Sequence, residues 1–76
     1  MSTVPRQNVQ YGPLQLVFDV QDHGWYVQIL DPRNQHMVGQ LGPFGDDLES
    51  ARFEALVAAQ QYLEERKDPI PSSIHW

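Results

Sequence analysis

The chain has 76 residues, ten acidic against five basic side chains, a formal net charge of −5 and no cysteine. That balance argues against a phosphate-binding surface and for a basic protein partner, and the missing thiols remove disulfide and thiolate chemistry. One domain fits the length, with a core so marginal that dimerisation is an expected source of further burial.

No apolar run approaches the roughly 20 residues that span a bilayer, and the first residues lack the basic and apolar regions of a signal peptide. The expectation is a cytoplasmic protein with no membrane partner. Residues 1–13, with Pro5, Gly12 and Pro13 among polar neighbours, read as a flexible arm that pairs at most briefly at a sheet edge through Val9 to Tyr11. From Leu14 to Val20 the apolar residues alternate, placing Leu14, Leu16, Phe18 and Val20 on one face and Gln15, Val17 and Asp19 on the other. Asp22-His23-Gly24 then forms a tight connection to an antiparallel strand, Trp25 to Leu30, in which Trp25, Val27 and Ile29 share one face and Tyr26 and Leu30 the other. Asp31-Pro32-Arg33-Asn34 carries Asp and Pro at the positions that open a turn. A weaker third strand follows, about His36 to Leu41, interrupted by Gly39.

Gly42, Pro43 and Gly45 end that strand and lead into the one stretch with sustained helical periodicity. Asp46 with Glu49 fits a capping box, so the helix begins at Asp46 or Asp47 and runs to Arg66. Leu48, Ala51, Ala55, Leu56, Ala59, Tyr62 and Leu63 fall in one arc that faces the sheet, and the alanines allow a close approach. Phe53 and Val57 lie off that arc. Either the apolar tail, with Ile70, Ile74 and Trp76, folds over them, or they meet a subunit or partner. Asp68-Pro69 stops the helix, and residues 68–76 read as an extended tail. The expected architecture is α+β: residues 14–67 forming a three-stranded antiparallel sheet (βββ) with one long helix packed on one face.

No chemistry emerges from the residue pattern. His23, His36 and His75 lack the short spacings of metal ligands, and no serine sits in a nucleophile context, so neither a metal, a cofactor nor catalysis is expected. Trp25, Tyr26 and Phe44 lack the interleaved basic residues of a nucleic-acid platform. What remains is an apolar strip on the sheet face that one helix leaves open, comprising Val17, Tyr26, Leu30 and Val38.

The run His23-Gly24-Trp25-Tyr26-Val27, a third strand, an acidic cap before Leu48-Glu49-Ser50-Ala51, and Tyr62-Leu63-Glu64-Glu65 ahead of Pro69-Ile70-Pro71-Ser72 resemble the N-terminal domain of HicB antitoxins over about residues 14–73. The resemblance implies a partly RNase H-like βββα unit that oligomerises and covers the active site of a small basic RNA-cleaving toxin of the HicA type. The chain departs from the family in its Asp31-Pro32-Arg33-Asn34 loop and in having no C-terminal DNA-binding module after the tail, so operator binding is not implied. Under this reading Tyr26, Leu30, Phe53 and Val57 are apolar anchors, with Val17 beside them in the candidate protein interface, and Asp19, Glu54 and Glu64 are steering charges. The alternative from another class is a structural or regulatory homodimer without a toxin, of phage or mobile-element origin.

Overall fold

The computed structural model describes residues 6–74. Four strands, β1 (Arg6–Tyr11), β2 (Leu14–Gln21), β3 (Gly24–Asp31) and β4 (His36–Leu41), precede a single helix, α1 (Leu48–Glu65). The strands form one antiparallel sheet in the order β1-β2-β3-β4.

The sheet therefore has four strands, not the three expected, because much of the supposed N-terminal arm is β1. Arg6 to Tyr11 pair with Asp19 to Leu14 along their whole length. Gly12 makes this possible: it takes φ +58 at the first of two loop residues, where primed hairpin turns favour glycine. Only Val9 and Tyr11 of β1 carry large apolar groups inward, but both are buried, at 4% and 2% exposure.

The core lies on one side of the sheet. Leu14, Leu16 and Phe18 of β2, Val27 and Ile29 of β3, and Ala51, Ala55, Ala59 and Leu63 of α1 are all inaccessible to solvent. Leu48, Leu56 and Tyr62 flank this seam half-buried, so the whole predicted arc of the helix faces the sheet. A register shift opposite Ile29 and Leu30 lets Val38 pack against the core, away from the open face where the alternation placed it.

Asp47, not Asp46, caps the helix. Its carboxylate accepts from the Ser50 backbone N–H at 3.0 Å and from the Ser50 hydroxyl at 2.7 Å, while the Asp47 backbone N–H donates to the Phe44 carbonyl at 3.2 Å, so no Glu49 side chain closes a capping box. These two bonds hold the Asp47 carboxyl below its usual range. At the other end Lys67 adopts φ +59, and the backbone N–H groups of Lys67 and Asp68 return to Glu64 and Leu63 at 3.0 and 2.9 Å. This is a Schellman stop with lysine where glycine is usual.

The stop redirects the tail towards β1. The Tyr11 hydroxyl donates to the Pro71 carbonyl at 3.2 Å and accepts from Gln60 at 3.3 Å, and Ile74 packs on the core. The helix lies over β3 and β4 and reaches β2. The tail adds cover on the β1 side, where Val9 and Tyr11 are buried.

Candidate functional site

The structure divides the predicted interface residues between two opposite surfaces. Val17, Tyr26 and Leu30 are half-buried on the face of the sheet away from the helix, whereas Phe53 and Val57 lie on the helix side of the molecule. No single flat surface contains both groups.

On α1, Phe53 is 63% exposed. Ala51 and Ala55 point at the sheet, and at about 100° per residue Phe53 falls on the outward side, in line with Val57 and Glu64. The described part of the tail does not fold over it: Pro71 and Ile74 go to Tyr11 and the core instead, while His75 and Trp76 lie outside the described residues. Exposed Glu49 and Glu54 neighbour Phe53 in sequence and around the helix, and Glu64 and Glu65 continue the acidic surface towards the C-terminus. An uncovered aromatic ring with the carboxylates of Glu49 and Glu54 near it on the helix is a recognisable docking feature, because the ring supplies desolvation energy and the acids supply a field.

On the sheet face, Asp19 has a local partner. Its Oδ2 accepts from Arg6 Nη2 at 3.4 Å, which leaves it little net field for steering a distant protein. Glu54 and Glu64, the other predicted steering charges, are exposed on the helix.

One ionic cluster went unread in the sequence. Asp31, taken there as a turn opener, is fully buried at the end of β3. Oδ1 accepts from the Arg33 backbone N–H at 3.1 Å and from Arg33 Nε at 3.0 Å. Oδ2 accepts from Arg33 Nη2 at 3.0 Å and from the Tyr62 hydroxyl at 2.8 Å. Arg33 also donates to Asp68 at 3.0 Å, Arg66 stands 3.7 Å from Asp68, and the Arg66 guanidinium sits 5.5 Å above the Tyr62 ring. The hydrogen bonds from Arg33 hold the Asp31 carboxyl well below the carboxylate range against the opposing effect of burial, and Asp31 and Asp68 in turn raise Arg33. With its carboxylate saturated by donors, this cluster is a latch between the β3–β4 turn, the helix end and the tail; no oxygen of Asp31 is left to accept a substrate proton.

A hollow at the β2–β3 turn brings Asp22 and His23 beside Arg6, Asp19, Val20 and Gln21, with no serine or other nucleophile among them. Among the described residues no group of three or more His, Asp or Glu side chains gathers as a metal site would need, and no helix is long and apolar enough to cross a membrane. No model of a known family, no curated protein and no solved structure matches the chain.

Proposed function

We propose that this chain is a small acidic protein-binding module that docks a basic protein on the outer side of α1, with Phe53 as anchor, Val57 beside it, and Glu54 and Glu64 as steering charges. The observation that carries the reading is the 63% exposure of Phe53 within an acidic helix surface. A large ring held in water at that position adds nothing to the core, but it gains burial when a partner covers it. In its most specific form, taken from the resemblance to HicB antitoxins, the partner is a small RNA-cleaving toxin and docking occludes its active site.

The test is co-purification with a short basic protein encoded beside this one, followed by binding kinetics. Phe53→Ala should raise the dissociation rate by about 30-fold if the ring is a hot spot, while changing stability by no more than about 0.5 kcal/mol, as for an exposed site. Glu54→Lys combined with Glu64→Lys should instead slow association and flatten its salt dependence. Binding that is indifferent to both changes would refute the reading. Protection of RNA from the partner, lost in Phe53→Ala, would separate the antitoxin form from simple docking.

A further inference from the structure

On the open face of the sheet the strand register builds three rows. Arg6, Asp19 and Tyr26 form one; Asn8, Val17, Gln28 and Gln40 form the middle one; Gln10, Gln15, Leu30 and Met37 form the third. Arg6 and Asp19 are the only charged residues in these rows, and they pair with each other. A chain with a net charge of −5 thus has one face without net charge, since the acidic excess sits on α1 and in the turns. Between the half-buried Val17, Tyr26 and Leu30 and the 47% exposed Met37, the uncharged remainder consists of primary amides.

We infer that this face binds a second copy of the chain, sheet on sheet, about a two-fold axis near the Val17–Gln28 pair. The charge pattern selects that occupant. A basic protein would find no counter-charge here, and a nucleic acid would find one cation that is already paired. Two copies that repel each other elsewhere meet without repulsion only through the neutral face. A primary amide both donates and accepts, so the same residue on two copies is its own complement, as a two-fold interface requires. Val17 and Gln28 are partners in the middle row on the two inner strands, which places them nearest the axis.

The size of the face sets the strength of the contact. Four strands about 4.8 Å apart and about seven residues long cover roughly 19 by 24 Å, or about 450 Å², short of the ~800 Å² per partner of a standard stable interface. The dimer is therefore weak and concentration-dependent. It uses the surface opposite Phe53, so it stands or falls separately from the docking of a basic partner.

Sedimentation equilibrium up to about 1 mM protein tests it with wild type, Gln28→Glu, Gln28→Lys and an equimolar mixture of the two variants, each checked for folding by thermal melting. Wild type should show reversible dimerisation. Each variant alone should weaken it by about tenfold or more, since like charges meet across the axis, and the mixture should restore it. The exposed Gln40 of the same row, changed in the same two ways, repeats the test should a Gln28 variant fail to fold. A monomeric wild type overturns the proposal. So does self-association that survives both charges, which would mark edge-to-edge strand pairing, or self-association abolished by Phe53→Glu, which would mark the helix.

Discussion

The Tyr62 hydroxyl donates to Oδ2 of the buried Asp31 across 2.8 Å, joining the last turns of α1 to the end of β3. Arg33 completes the set of donors, and its Nη2 also donates to Asp68. The Asp31 carboxylate thus ties the end of β3 to the last turns of α1 directly, and to the start of the tail through Arg33.

That carboxylate makes the fold sensitive to acid. The unfolded chain binds a proton on Asp31 near the ordinary value of about 3.9, whereas the folded chain resists protonation to much lower pH, chiefly because of the Arg33 hydrogen bonds. The stabilisation is complete above about pH 5 and is lost as pH falls below about 4. Asp68, lowered mainly by its hydrogen bond from Arg33, and Asp47, lowered by Ser50, act in the same direction. Urea unfolding across the acid range should show a steep limb in wild type and a shallower one in Asp31→Asn, which should also be less stable at neutral pH. Tyr62→Phe removes one charge-assisted bond and should cost about 1–2 kcal/mol at neutral pH.

The helix start gives a second expectation. Asp47 accepts both Ser50 bonds, while Asp46 makes no side-chain bond of this kind. Asp47→Ala should lower the melting temperature by about 4 °C or more, as loss of a cap does in a domain of this size, and Asp46→Ala should leave it nearly unchanged. Equal effects would return the capping role to the Asp46–Glu49 pair.

The contrast between these two regions shows what the residues disclose one stretch at a time. β2 and β3 were legible because large apolar side chains alternate over their length, and α1 because its arc from Leu48 to Leu63 is continuous. β1 was not, since Val9 and Tyr11 are its only large apolar residues and Gly12-Pro13 looks like loop when its partner strand is unknown. The Asp31 latch was hidden for another reason: Tyr62 and Asp68 lie 31 and 37 positions away, and only the fold brings them together. Asp31-Pro32-Arg33 gave a faint sign, an arginine poised to answer the carboxylate two residues before it. Phe53 lies off the core arc as its spacing implies, but nothing local could tell that Pro71 and Ile74 of the tail would go to Tyr11 and the core.

The Schellman stop makes a third prediction. Lys67 holds φ +59, a left-handed conformation that costs a side-chain-bearing residue roughly 1 kcal/mol and glycine almost nothing. Lys67→Gly should raise the melting temperature by a few degrees without altering the fold. Lys67→Val, with a branched β-carbon at the same φ, should lower it. Should glycine destabilise, the ammonium group must be contributing more than the strained backbone costs.

The tail offers the sharpest test of how the edge strand is held. Chain ending at Pro69 keeps Asp68 and its ion pairs with Arg33 and Arg66, but it loses the Pro71 carbonyl that accepts from Tyr11 and the Ile74 side chain packed on the core. The lost apolar cover and the lost hydrogen bond should together cost about 2–4 kcal/mol. The loss should be local, because the helix contacts β2, β3 and β4 and those elements keep their core. Hydrogen exchange is the appropriate measurement. Backbone amides of β1 from Val9 to Tyr11 should exchange far faster in the shortened chain, while those of β3 from Val27 to Ile29 slow or quicken only with global stability. Uniform acceleration across all four strands would mean that the tail stabilises the whole domain, and unchanged exchange in β1 would mean that β2 pairing and Gln60 alone suffice to hold the edge.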